Sequence, residues 1–213
     1  DTNQLLQRAV GKDELISVTA NQLVKLLDRN IIMYPVQGDE LETPRIFSVS
    51  DEPISEELTS DNERAVASWV LKNNKHAGAT TDTLASAKCL YLSIRVNDHV
   101  YGVVGIVIAD DPLDAFENSI MLSILGESAL AMENEKNAKE KEEAAIHARN
   151  EQLRANLLRA ISHDLRTPLT SISGNASNLL TNGEALDGET KHRLYSDIYD
   201  DSMWLINLVE NLL

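Results

Sequence analysis

From Leu113 onward the sequence turns helical and stays so for about seventy residues, until Asn182-Gly183 supplies a stop signal. No other feature constrains the chain as much. The middle of this run, ENEKNAKEKEEAAIHARNEQ, is laced with charge, rich in alanine and free of Gly and Pro. Glu135 and Lys139 stand four residues apart in the favoured order. One heptad register passes through Leu125, Met132, Glu135, Lys139, Glu142, Ile146, Arg149 and Leu153. Half of that seam is polar, which predicts a weak coiled coil, with a solvated single helix as the alternative.

The sequence before this helix alternates element types. KDELISVTANQLVKLLD spaces Leu15, Val18, Leu23, Leu26 and Leu27 as one helical face. NIIMYPV is a short β-rich run that Pro35 is expected to end or to place at an edge. QGDELETP reads as a turn and RIFSVS as a further strand. SDNERAVASWVLKNN reads as a helix capped by Ser60 or Asp61, with Glu63 at capping-box spacing from Ser60. KHAGATTDTL is a loop of small and hydroxylic residues. KCLYLSIRV and HVYGVVGIVIAD are two strands joined at Asn97-Asp98, a hairpin signal without its usual glycine. This order predicts one α+β domain of sensor size, over about residues 11–132.

After the long helix, EALDGET forms a short loop with an acidic start to the next helix. TKHRLYSDIYDDSMWLINLVENLL then repeats an apolar spacing at Leu194, Ile198, Leu205, Val209 and Leu212. Two helices joined by a short loop predict an antiparallel hairpin. One hairpin covers only part of each stripe, and each fully buried Leu or Ile contributes roughly 1.5–3 kcal/mol. Two hairpins packed as a four-helix bundle cover both stripes, so a symmetric homodimer is expected.

Totals exclude several classes. A length of 213 residues suits one or two domains, and 43% apolar content is enough for a real core. Aromatic content of 4% favours helical packing over an all-β protein. A formal net charge of −15 repels nucleic acid and anionic lipid, which excludes a nucleic-acid module. The single cysteine, Cys89, lies in an apolar run and fits a reducing cytosol better than a disulfide scaffold. No apolar stretch approaches membrane-spanning length, and the first residues show no signal peptide. Both ends read as cuts through a longer protein.

One stretch of the long helix, RAISHDLRTPLTSISG, carries candidate chemistry. At 100° per residue with Ile161 at 0°, Leu179, Ile172, Leu165, Leu158 and Ala176 lie within about 60° and define a buried stripe. His163 falls at about 200°, flanked by Arg159 at about 160° and Thr167 at about 240°. These three form one exposed ridge, and Arg166 flanks it. An exposed imidazole can meet a second macromolecule. Asp164 can accept a hydrogen bond from one ring nitrogen and leave the other basic, the logic of an activated nucleophile. Two arginines suit a phosphoryl group arriving or leaving. Pro168 removes the N–H that would bond the carbonyl of Asp164 and crowds that carbonyl, so a hinge beside His163 is expected. His76, His99, His147 and His192 have no such neighbours and read as solvated. No histidine pair has zinc spacing, so no metal site is expected.

ISHDLRTPLTSISGNASNLL resembles the H-box of bacterial sensor histidine kinases: a His, an acid, two residues, Thr or Asn, then Pro. The resemblance implies that His163 is the phosphoacceptor and that Asp164 assists autophosphorylation. It implies also that Thr167 helps position water when the partner is dephosphorylated. Asp164 stands where Glu is commoner. Upstream, ASWVLKNNKHAGATTDTLASAKCLYLSIRVNDHVYGVVGI is similar to the cytosolic GAF-like region of the KdpD family of potassium-responsive sensor kinases, with Trp69, Gly78, Thr81, Asp82, Thr83 and Leu84 on the likeness.

The two resemblances imply an α+β, GAF-like sensor domain with an N-terminal helix at residues 1–132. A helical coiled-coil linker at 133–152 and a dimerisation and histidine phosphotransfer hairpin at 153–213 would follow. The chain would be the cytoplasmic portion of an inner-membrane protein whose membrane helices lie elsewhere. It would be phosphorylated from ATP with Mg by an ATP-binding domain of the same protein that follows Leu213, and would hand the phosphoryl group to the receiver domain of a response regulator controlling potassium transport. No cofactor is expected on residues 1–213 themselves. Trp69, Thr81, Asp82 and Thr83 are candidate ligand-binding residues for an ion or small polar molecule, and loop bracing is the competing role for the threonines and the aspartate. A second functional reading is a ligand-gated dimerisation module without phosphotransfer of its own. A third is a coiled-coil adaptor with an inert His163.

Overall fold

The computed structural model describes residues 2–51, 53–109 and 111–212, with side chains from residue 4 to residue 211 of these, so Leu212 of the last apolar stripe lies outside the described side chains. The chain divides into two compact units, 1–141 and 142–213. The division falls inside one helix.

The first unit is built on an antiparallel sheet. Its strands are β1 (Ile31–Gln37), β2 (Glu40–Leu41), β3 (Arg45–Phe47), β4 (Ala77–Gly78), β5 (Cys89–Val96) and β6 (His99–Val107), in the order β2-β1-β6-β5-β4 with β3 also on β1. Helices α1 (Thr2–Arg8) and α2 (Lys12–Leu27) precede the sheet. Helix α3 (Asp61–Asn73) lies between β3 and β4, and α4 (Ala115–Asn182) follows β6. Apolar residues cover both sheet faces. Ile31, Met33, Val104 and Ile106 share one core with Leu15, Ile16 and Leu23 of α2 and Met121, Leu125 and Met132 of α4. Ile32, Tyr34, Cys89, Tyr91 and Val103 share the other with Val66, Ala67 and Val70 of α3. Coverage on both faces explains why IIMYPV is an unbroken apolar run rather than an alternating one.

Pro35 neither ends β1 nor puts it at an edge, against the expectation from sequence. The strand continues to Gln37, with β6 on one side and β2 and β3 on the other. The carbonyl of Pro35 accepts from Glu42 N–H at 2.8 Å, so its absent N–H would have pointed to the carbonyl of Glu42. Arg64 Nη1 donates to that carbonyl at 3.0 Å instead. A guanidinium from α3 thus replaces the one ladder bond the proline removes, and the face toward β6 loses none.

Ser60 caps α3 as its spacing predicts, accepting from Glu63 N–H at 3.4 Å. The Glu63 side chain does not complete the capping box. It is buried and accepts from Lys88 N–H at 2.8 Å and from the Tyr91 hydroxyl at 2.7 Å, tying α3 to β5. Tyr34 lies beside this group, wholly buried, and burial above all pushes its hydroxyl up to about 12.

The β5–β6 hairpin turns at Asn97-Asp98 as expected, with Asn97 at φ 51°, a left-handed position that asparagine tolerates. Ile94 pairs with Gly102 but Arg95 pairs with Val100, so Tyr101 is the extra residue of a β-bulge. The bulge turns Tyr101 onto the α2 and α4 side of the sheet.

Helix α4 runs 68 residues, as long as the sequence pattern requires. The first two positions of its heptad seam, Leu125 and Met132, are buried in the core of the first unit and so cannot serve a coiled coil. Ile146 and Leu153 further along are exposed.

In the second unit, α5 (Gly188–Leu212) begins on a real cap. Asp187 accepts from Thr190 N–H at 2.7 Å and from the Thr190 hydroxyl at 2.9 Å. Those bonds, the backbone one first, hold its carboxyl below the ordinary 3.8. A depressed folded value means that the cap's stabilisation is complete above 3.8 and is lost as pH falls through the folded value. Asp187→Ala is therefore expected to lower the melting temperature at pH 7, with the gap to the parent closing under acid. Paired thermal melts at neutral and strongly acidic pH measure this, and a gap independent of pH contradicts it.

Candidate functional site

The ridge drawn from helical spacing is present on α4. Arg159, His163, Arg166 and Thr167 are all exposed, while Ile161, Leu165, Ile172, Ala176 and Leu179 are half-buried. Leu158 departs from the expected stripe and is exposed. The His163 side chain is 79% exposed and that of Asp164 is 65% exposed, so both are open to a second macromolecule. His163 Nδ1 lies 3.4 Å from Asp164 Oδ1. With Nδ1 facing the carboxylate, Nε2 is the ring nitrogen left open.

Pro168 lies within the helix and is buried, a position the expected stripe did not include. It lines a groove with Asp164, Thr167, Ser171, Asp201 and Trp204. Residues 164–171 of α4 and 201–204 of α5 lie at similar distances in sequence from the 183–187 connection, so α4 and α5 run antiparallel in this unit. Leu194 is buried, and Ile198, Leu205 and Leu208 are half-buried, on the α5 face that meets α4. Trp204 and Asp201 escaped the sequence reading. The hairpin register was their only available signal, since it sets them opposite Asp164 and Pro168.

The expected ligand loop is braced from within. The Thr81 hydroxyl donates within hydrogen-bond reach of the carbonyls of Gly78 and Thr83, both at 2.8 Å, and accepts from Thr83 N–H at 3.2 Å. Gly78 N–H also donates to the Thr83 carbonyl at 2.8 Å. Asp82 between the two threonines is exposed. Trp69 packs on the α3 side of the sheet. Thr81 lines a groove with His76 and Leu113. Among the described residues no group of His, Cys, Asp or Glu is placed to hold a metal ion. No described helix is long and apolar enough to cross a membrane.

Residues 153–213 match the His Kinase A (phospho-acceptor) domain. The whole chain is similar to the sensor protein KdpD of Clostridium acetobutylicum, 38% identical over 209 residues, or 98% of this chain and 23% of that protein. It is similar also to KdpD of Escherichia coli, 32% identical over 156 residues, or 70% of this chain and 17% of that protein. The chain therefore spans about a quarter or less of the relatives it matches. Among solved structures, the native GAF domain of the potassium sensor histidine kinase KdpD from Escherichia coli superposes with a TM-score of 0.52 at 15% identity, covering 66% of this chain and 94% of that one. That likeness establishes a GAF fold for the first unit.

Proposed function

The chain belongs to the KdpD family of sensor proteins, and on that premise we propose that it is the cytoplasmic sensor and phosphoacceptor section of a two-component histidine kinase. His163 is phosphorylated from ATP, and the phosphoryl group passes to the receiver domain of a response regulator controlling potassium transport. The observation that carries this reading is the exposed His163–Asp164 pair inside the phospho-acceptor match. Nε2 attacks the γ-phosphorus, the N–P bond forms as the P–O bond to ADP breaks, and Asp164 takes the Nδ1 proton. Thr167, one turn along the same ridge, orients water for the reverse, phosphatase direction. Pro168 leaves the turn after His163 one backbone bond short and serves as the hinge. Arg159 and Arg166 steer phosphate charge toward the ridge. ATP with Mg is supplied by a domain of the same protein outside residues 1–213, and the protein is anchored in the inner membrane by segments also outside them. Trp69, Thr81, Asp82 and Thr83 remain the proposed contact region for an ion or small polar molecule in the GAF-fold unit.

Reconstitution tests the reading. Residues 1–213 mixed with the separately produced ATP-binding domain, Mg and γ-labelled ATP are expected to acquire label that is stable to base and lost in acid. Absence of such label contradicts phosphorylation on histidine.

The same reading includes a homodimer. Leu169 on α4 and Tyr195, Tyr199, Met203 and Ile206 on α5 are exposed, and the four α5 residues fall on one helical side. A second hairpin covering that side would remove it from water. Light scattering of residues 1–213 at tens of micromolar, roughly the range of weak bundles, is expected to give twice the monomer mass of 23.6 kDa. A mass of one chain contradicts the dimer.

A further inference from the structure

Pro168 is the one buried residue among 142–182 of α4, where Ile161, Leu165, Ile172 and Leu179 are only half-buried. The helix stays intact through it. Its backbone is nevertheless weak there. The Asp164 carbonyl has no N–H to accept from at position 168, and the proline ring crowds that carbonyl. Two residues on, the Thr170 hydroxyl donates to the Arg166 carbonyl at 2.8 Å, a back-bond that also bends helices. His163 stands on the N-terminal side of this soft turn.

The soft turn rests against α5. Asp164, Thr167, Pro168 and Ser171 form one wall of a groove, and Asp201 and Trp204 form the other. Five of these six side chains are short. Trp204 alone has the bulk to fill space between the two helices. A proline ring leans its helix away from the side it occupies, because it presses on the carbonyl one turn back. Here that side faces α5, so the lean opens the gap in which the indole stands.

Trp204 differs both from an ordinary packing residue and from a ligand contact. Leu194, Ile198, Leu205 and Leu208 already supply the α5 face that meets α4, whereas Trp204 is 47% exposed. At 100° per residue it lies about 145° round α5 from the centre of the row Tyr195, Tyr199, Met203 and Ile206, so a second hairpin on that row leaves it uncovered. The groove lining holds two carboxylates and no cation, which repels a phosphoryl group. The indole therefore acts on the helix and not on phosphate.

We propose that Trp204 is a positioning residue for phosphotransfer: it limits how far the Pro168 turn leans and so aims the His163 imidazole. The proposal rests on the reading of His163 as the phosphoacceptor. Removing the indole leaves the nucleophile and its carboxylate in place but frees the turn, and a misplacement of about 1 Å can slow a reaction up to about a hundredfold.

A double-mutant cycle in the reconstituted labelling reaction tests this, at a temperature where melts show all four chains folded. Trp204→Ala is expected to slow initial labelling at saturating ATP about tenfold, with the half-saturating ATP concentration unchanged. Trp204→Phe keeps a ring in the gap and should retain most of the rate. In a Pro168→Ala background the helix regains its bond and there is no hinge to restrain, so Trp204→Ala should slow labelling less than about twofold. A parent rate in Trp204→Ala, or equal slowing with and without Pro168, overturns the proposal. Fluorescence tests it without phosphate chemistry. Trp69 and Trp204 are the two tryptophans, so in Trp69→Phe all indole emission comes from Trp204. Pro168→Ala should shift that emission and its quenching by acrylamide. A parent chain without label ends the phosphoacceptor reading, and the aiming role with it, whatever the emission shows. A labelled parent with unaltered emission ends the aiming role alone.

Discussion

His163→Gln is expected to reduce acid-labile label to background in the reconstituted reaction, a loss of at least about a hundredfold. Glutamine keeps a polar side chain of similar reach on a helix face that is already exposed, so the variant should fold and dimerise as the parent does. What it lacks is a ring nitrogen with a free electron pair. Asp164→Asn separates the two members of the pair. The nucleophile remains but loses its proton acceptor, so labelling should slow by about a hundredfold and reach the same final level. Equal labelling of His163→Gln and parent places the phosphoryl group on another residue. Unchanged kinetics in Asp164→Asn removes the carboxylate from the chemistry and leaves the 3.4 Å contact as mere proximity.

The largest expected effect on stability lies in the sheet. Gly105 stands opposite Tyr91 in the β5–β6 ladder. A Cβ at position 105 would lie 2.5 Å from Tyr91 Cε1 and 3.1 Å from Cδ1. The ring cannot swing aside freely, because it is wholly buried and its hydroxyl is held by Glu63 at 2.7 Å. Gly105→Ala therefore overpacks a pinned ring and should cost about 2 kcal/mol, with Gly105→Val costing more. For a chain of this size that is a fall of roughly 4–8 °C in melting temperature. Tyr91→Leu removes the obstructing ring, so the double variant should cost less than the sum of the two single changes. Strict additivity would mean that the ring and the new methyl group never meet.

Local rules were readable in the chain wherever the partner lay within one element. Ser60 and Glu63 N–H meet inside one helical turn, and the exposure of His163, Arg159 and Thr167 needs only the 3.6-residue period of a single helix. The GAF fold and the phosphoacceptor hairpin were readable through family resemblance, which local spacing alone would not have given. What stayed hidden depends on partners distant in sequence. Pro35 is tolerated in mid-strand because Arg64, on α3, supplies the missing donor. Glu63 abandons its capping box because Lys88 and Tyr91 fold over it. Pro168 is buried in a groove it shares with Trp204 of the neighbouring helix. His99 read as a plain solvated residue, since only the bulge at Tyr101 shows that it borders a cavity between α2, β1, β6 and α4.

Cys89 is wholly enclosed between α3 and the sheet, and burial above all pushes its thiol up to about 12. At neutral pH, folded residues 1–213 are thus expected to react only slowly with maleimides and alkylating spin labels, although they contain a cysteine. Within residues 1–213, a reporter thiol introduced at an exposed site such as Lys139 or Ile146 would be the one readily labelled thiol, with no need to delete Cys89 from the core. Distance measurements between such labels across a pair of chains become possible in the unaltered background, and any signal from the native sulfur would itself be a sensitive alarm that the sheet had opened.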